Sequence, residues 1–499
     1  MTPLRILMIT AEYTPLAKTG GLADMVAGLS ARLAASGHDV CVVMPRYRGL
    51  EVPGDAAAVP QGNIPVAGGI SPVALNGTYP RYEFICSRTA AAPQICQVDA
   101  PDFFSGNAIY GGGNTEALRF ALLSHAALAL CQQLGWAPHI VHCHDWHASL
   151  APLLLNTYRL HEPLFRDASS VLTIHNIGYQ GVFPAALANK LGLTDPAPLL
   201  SPVVEGPPTL NFLRAGIAAA DALTTVSPTH AAEVLTPEYG KGLDELLRQR
   251  RNRLVGILNG VDYAHWDPVS DPRLPHPYGP GDITGKLVCR AELRKRSGLS
   301  DAGDVPILGM VSRLAAQKGI ELVLHALPPF LRDNSCQAVV LGEGDPPYAE
   351  ALQQLAADMP GRFAFIPAHS ESIARLIFAG SDAFLVPSLY EPCGLTQMYA
   401  LRYGSVPIVR DTGGLRDTVT HFDPHSGTGT GSVFRDVDDI QPGEDFVHDI
   451  QSHLREVGAV LVMIGPSWMK TGADGRRRLD DPEDFVLQEI QAALGSDKP

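Results

Sequence analysis

Short apolar runs alternate with helical patterns along this chain, the arrangement of parallel sheets covered by crossover helices. The first such unit is explicit. An apolar strand over residues 4–10 leads through a loop to Gly20-Gly21, then to a helix whose Leu22, Met25, Val26, Leu29 and Leu33 share one face, then to a strand over 40–44. Further strands are expected at 140–144, 171–175 and 222–226, each running into polar residues where a doubly wound sheet builds its site. These make a first domain over 1–266. Proline, glycine and aspartate crowd the stretch that follows, so 267–300 reads as a linker or hinge. A second strand series at 307–311, 338–341, 363–366, 383–386 and 406–409 makes a second domain over 301–431. Two nucleotide-binding-like sheets in tandem predict an α/β protein with two Rossmann-like, doubly wound domains and an interdomain cleft for the ligand.

Composition narrows the partners. The 499 residues, 45% hydrophobic and 18% charged, are too many for one ordinary core and too apolar for disorder. A net charge of −14 argues against nucleic acid or an anionic membrane surface and leaves a neutral polysaccharide compatible. The eight cysteines have no CxxC pair or framework spacing, and are expected to be reduced thiols in the cytoplasm. The chain opens directly into a strand, and no apolar run approaches the length of about 18 residues that spans a bilayer, so neither a leader nor a membrane anchor is expected.

The loops carry more specific signals. Lys18-Thr19-Gly20-Gly21-Leu22-Ala23-Asp24 is followed, in order, by His142-Cys143-His144-Asp145-Trp146-His147, His175-Asn176-Ile177-Gly178-Tyr179-Gln180-Gly181 and Asn259-Gly260-Val261-Asp262. The second half adds Val311-Ser312-Arg313-Leu314, Gln317-Lys318-Gly319, Glu391-Pro392-Cys393-Gly394-Leu395-Thr396-Gln397 and Thr412-Gly413-Gly414-Leu415. This set resembles the bacterial glycogen/starch synthase family over residues 1–430. The resemblance implies the GT-B architecture and retaining transfer of glucose from ADP-glucose to the non-reducing end of an α-1,4-glucan, glycogen or a maltooligosaccharide. It implies no cofactor and no metal.

The chemistry needs these residue types. A departing diphosphate gathers negative charge, which Arg313 and Lys318, just past a strand, can meet together with helix-terminal amides. Gly20 and Gly21 let backbone approach a phosphate or sugar without a Cβ clash, with Lys18 beside them. Gly394, Leu395 and Thr396 are expected to open a helix onto the donor. Glu391 is the carboxylate expected beside the glucose ring as oxocarbenium character develops. By resemblance His175 holds the sugar near its anomeric carbon, Asp145 contacts a substrate hydroxyl, and Tyr179, Gln180 and Asn259 are candidate acceptor or sugar contacts. His142, His144 and His147 could suggest zinc, but no complementary cysteines or closing carboxylate motif accompany them.

The chain also departs from the family. Thr115-Glu116 stands where an Asp-Asn pair is usual before Arg-Phe, and Pro367-Ala368-His369 lacks the usual Gly-Tyr. From 432 to 499 the sequence resembles the central part of a Toll/interleukin-receptor (TIR) domain, through Val433-Phe434-Arg435-Asp436, Val460-Leu461-Val462-Met463-Ile464 and Glu489. The segment is expected to complete the second sheet. The altered C-terminus leaves one alternative function, a catalytically impaired glucan-binding relative, and motifs that do not read the nucleotide base leave another, a transferase using UDP-glucose.

Overall fold

The computed structural model describes residues 2–50, 64–70, 74–88, 92–106, 108–201, 207–422 and 428–434. It divides into two units, Met1–Gly260 and the residues from Val261 onward. The first unit carries β1 (Arg5–Ile9), β2 (Asp39–Pro45), β3 (Ile64–Ile70), β4 (Arg81–Ser87), β5 (Gln94–Asp99), β6 (Ile140–His144), β7 (Ser169–Ile174), β8 (Val182–Pro184), β9 (Thr209–Asn211), β10 (Ala222–Thr225) and β11 (Leu254–Gly256). Nine of these form one sheet in the order β11-β10-β7-β6-β1-β2-β5-β4-β3, with β8 and β9 paired separately. It is parallel from β11 to β5, and an antiparallel β3–β4–β5 meander closes one edge.

The register explains the apolar runs. Leu7 lies between Cys41 of β2 and Val141 of β6, all three buried, because a central parallel strand is covered on both faces. The helix Gly21–Ala35 buries Leu22 and Val26 against this core, with Met25, Leu29 and Leu33 packed at its margin. The helix Thr115–Leu134 is the one helix among the described residues long and apolar enough to cross a bilayer, and most of it is buried inside this unit. It is the core helix of the sheet's face.

Chain order reverses at β1, which has β2 on one side and β6 on the other. A crevice for ligands therefore opens at the carboxyl ends of β1 and β6. The antiparallel meander was not foreseen, and it corrects the cysteine reading: Cys86 and Cys96 stand directly opposite on β4 and β5, with Cα atoms 4.0 Å apart, and are joined as a disulfide. The other six cysteines are free and buried.

The second unit repeats the plan with β12 (Ile307–Val311), β13 (Gln337–Leu341), β14 (Phe363–Ile366), β15 (Ala383–Val386), β16 (Val406–Arg410) and β17 (Ser432–Phe434). Its sheet is parallel throughout, in the order β14-β13-β12-β15-β16-β17, and reverses between β12 and β15. Residues 432–434, the first of the segment over 432–499, are thus its edge strand. The remainder of that segment, Asp436 to Glu489 included, lies outside the described residues.

The boundary also differs from the expected one. Trp266, Leu274 and Tyr278 are buried in the second core, and the helix Thr284–Ser297 buries Cys289 and Leu293 beside the helix Glu371–Gly380. The expected linker is therefore part of a packed unit beginning at Val261. Its anchor is Arg375, fully buried, which donates to Asp271 (2.8 Å), Tyr403 Oη (3.2 Å) and the His265 carbonyl (2.8 Å). The guanidinium lies 4.0 Å from the centre of the Trp266 ring, which stacks on Tyr399 at 3.9 Å. Arg375 also pairs with Glu371 at 3.0 and 2.7 Å, so Asp271→Ala leaves the guanidinium one carboxylate while stripping a buried acceptor from Tyr403, and is expected to cost about 1–3 kcal/mol in urea unfolding of this unit. A loss below about 1 kcal/mol would contradict this account.

Candidate active site

In the first unit the candidate residues gather at the switch-point crevice. β6 ends at His144, and Asp145 begins the next helix with φ +56, a left-handed backbone that turns its carboxyl under the end of β7. There Asp145 Oδ1 accepts the amides of His175 (2.7 Å) and Asn176 (3.4 Å). Burial pushes the Asp145 carboxyl up to about 7, against the pull of those two amides and with a further push from the Glu12 charge. His175 Nε2 lies 3.1 Å from His144 Nδ1, and burial brings His175 down to about 3. His142 is hydrogen-bonded to Thr173 Oγ1 at 2.7 Å and burial lowers it to about 4. Near neutral pH these imidazoles are uncharged, so His175 is a neutral hydrogen-bonding group.

The loop after β1 brings Lys18 to the same crevice, its ammonium 2.9 Å from Asp24 Oδ1. Gly20 is the N-cap of the helix Gly21–Ala35. The Gly20 amide is directed at Glu12 Oε2 (3.3 Å), so the amide that could meet a phosphate is already paired in this state. Gln180 is likewise engaged: its amide donates to the Ile177 and Lys241 carbonyls at 3.1 and 3.0 Å and accepts from Asn211 at 2.6 Å. These bonds shape the 176–181 loop. Gly181, at φ +63, closes it where a Cβ would come within 2.3 Å of the Trp146 ring. Tyr179 is exposed, and Asn259 is half-buried just before the unit's end.

In the second unit β12 and β15 supply neighbouring loops. Arg313 follows β12 and is exposed, and Lys318 ends the short turn Ala316–Lys318. Lys318 Nζ lies 2.6 Å from Glu391 Oε2, which also accepts from Ser388 Oγ at 2.8 Å. The two loops are further knit by Gln317, whose side chain donates to the Tyr390 carbonyl at 3.1 Å and whose carbonyl accepts the Leu389 amide at 2.8 Å. Gly394 (φ +73) and Leu395 lead into the helix Thr396–Arg402, as the sequence indicated. The conformation around Lys318 depends on Gly319, at φ +69, where a Cβ would sit 2.0 Å from the Pro387 carbonyl oxygen. Gly319→Ala is expected to displace the Lys318 turn with the fold retained, as strain of about 1–3 kcal/mol allows. Hydrogen exchange over 315–320 checks this, and protection equal to wild type would show that Gly319 does not set the turn.

Sequence reading missed Glu12, Tyr110 and Ser388, and noticed His144 only as a metal candidate. The available signal was Glu12 itself, an acid close behind an apolar strand, where burial demands partners.

The chain is similar to known proteins along most of its length. Residues 5–249 match the starch synthase catalytic domain family, and residues 292–445 match the glycosyl transferases group 1 family, a match that runs past 431. Glycogen synthase of Anaeromyxobacter dehalogenans (strain 2CP-C) is 44% identical over 439 residues, covering 87% of this chain and 88% of that one. Glycogen synthase of Aeromonas salmonicida (strain A449) is 40% identical over 436 residues, with the same coverage of 87% and 88%. The solved catalytic domain of starch synthase IV from Arabidopsis thaliana, bound to ADP and acarbose, superposes with a TM-score of 0.81 at 31% identity over 92% of each chain. Sucrose-phosphate synthase from Thermosynechococcus elongatus, at 18% identity and a TM-score of 0.55 over 99% of this chain and 98% of that one, shares the fold alone. Identity at the level of the two glycogen synthases, sustained across most of each chain, means that this chain belongs to the glycogen/starch synthase family of GT-B glycosyltransferases.

Proposed function

We propose that the chain transfers glucose from ADP-glucose to the non-reducing end of an α-1,4-glucan, glycogen or a maltooligosaccharide, with retention of configuration and in the cytoplasm. The observation that carries this reading is the 2.6 Å pair of Lys318 and Glu391 at the second sheet's switch point. It sets a cation for a departing diphosphate beside a carboxylate for the sugar. The names of the relatives, and the ADP and acarbose bound to starch synthase IV, support the substrate classes.

As the glycosidic bond lengthens, negative charge collects on the diphosphate, and Lys318 with Arg313 opposes it. Lys318 moving onto phosphate releases Glu391 to face the positive charge developing on the glucose ring. His175, neutral and held by the His144 ring and the Asp145 carboxyl, offers hydrogen bonding from a fixed position. Lys18 exchanges Asp24 for the donor.

The test is incorporation of radiolabelled glucose into glycogen by the purified chain, with ADP-glucose and UDP-glucose supplied separately. Label from ADP-glucose is expected. Label from UDP-glucose alone would reassign the donor, and none from either would overturn the reading.

A further inference from the structure

Glu12 lies three residues beyond β1 and is 3% exposed, and no step above uses it. A carboxylate so buried is costly unless every oxygen is satisfied. Its Oε2 accepts the amides of Thr19 (2.7 Å) and Gly20 (3.3 Å), and its Oε1 accepts the hydroxyls of Thr19 (2.7 Å) and Tyr110. Three of these four bonds come from the two residues between Lys18 and the first helical residue, Gly21. The loop that presents Lys18 is therefore held by one side chain from beneath, while Asp24 holds the ammonium from the helix.

The fourth bond reaches a second segment, at Tyr110. The Tyr110 ring stacks on His147 at 4.9 Å and 25°, two residues from Asp145, and the next amide, Gly111, donates to Glu116 at 2.8 Å. Glu116 is one of the residues at which this chain departs from its family's usual pair, and here it fixes the Tyr110 turn. Glu12 thus joins the Lys18 loop to the turn beside Asp145.

We propose that Glu12 is a positioning residue for the donor: it does not touch the sugar nucleotide, but fixes the 18–20 loop so that Lys18 can leave Asp24 for a phosphate oxygen without the backbone reordering. The inference rests on the proposed role of Lys18 in binding ADP-glucose. It requires hydrogen-bond geometry at position 12 and not negative charge, since a glutamine can accept the two amides through its carbonyl and donate to the two hydroxyls.

Glu12→Ala is expected to raise the ADP-glucose KM about ten-fold or more, with the glycogen KM within about two-fold of wild type, and Glu12→Gln to restore most of the loss. Hydrogen exchange of the 13–21 segment reads the same organisation with no substrate: fast exchange in Glu12→Ala, protection in Glu12→Gln. Should the alanine variant not fold, Glu12→Asp, too short to hold all four donors, is expected to give an intermediate KM. An unchanged ADP-glucose KM, a parallel rise of both KM values, or a glutamine variant as impaired as the alanine one would each overturn the proposal. Wild-type protein that incorporates no label would instead defeat the donor assignment, and the exchange measurement would still decide whether Glu12 holds the loop.

Discussion

Replacing Glu391 with alanine is expected to lower kcat for glucosyl transfer by about 10²–10³-fold, the scale seen when one preorganised electrostatic contact to a transition state is lost. The side chain is buried and its carboxylate is spent on Lys318 and Ser388, while the loop is kept in place separately, by the Glu391 carbonyl accepting the Gly414 amide at 2.9 Å. Truncation therefore removes charge from the site and leaves its frame. It also frees Lys318 from its counter-charge, so the donor KM should stay level or fall as kcat drops. Lys318→Ala should differ, raising the donor KM as well, because the cation meets phosphate in the ground state too. Steady-state kinetics with ADP-glucose varied separates the two patterns, and a Glu391→Ala kcat within about two-fold of wild type would remove that residue from the mechanism.

The second large effect is acid lability of the first unit. His125, His142, His144, His147 and His175 are all held below the ordinary histidine value of 6.5 by burial, with neighbouring charges adding to this at His144, His147 and His175. A group whose folded pKa is depressed contributes stability that is whole above its unfolded pKa and is lost as pH falls toward the folded value. For His125 and His142 that value is about 4, and for His147 and His175 about 3. Asp145, raised from 3.8 to about 7, has the opposite sign, its contribution whole below its unfolded value and lost as pH rises through about 7. One group opposes five, so stability should fall steeply below pH 6.5, each histidine contributing up to about 1.4 kcal/mol per pH unit. Urea midpoints between about pH 7 and 5 check this, and a slope of less than about one proton would refute it.

The parallel sheets were legible because their strands are buried on both faces and so read as unbroken apolar runs, as in Ile307–Val311 and Ala383–Val386. The meander was not, because β4 alternates buried and exposed residues and is paired on both sides only through β3 and β5. Pro, Gly and Asp between 267 and 285 suggested a linker, yet the same stretch carries Asp271 and Tyr278, whose burial depends on Arg375 and Tyr403 more than a hundred residues later. Motif spacing placed Lys318 and Glu391, but not the bond between them, which arises only when β12 and β15 become neighbours. Glu12 carries no motif, and its four bonds exist only once the Lys18 loop and Tyr110 are folded around it.

The early start of the second unit bears on how such enzymes can be recombined. A chimera that took its carboxyl-terminal half from a relative at residue 301 would replace the helix that carries Arg375 while keeping Asp271 and Trp266, splitting one buried cluster between two parents. Cutting after Gly260 moves that cluster as a whole and leaves the catalytic loops of each parent with the packing they were selected on.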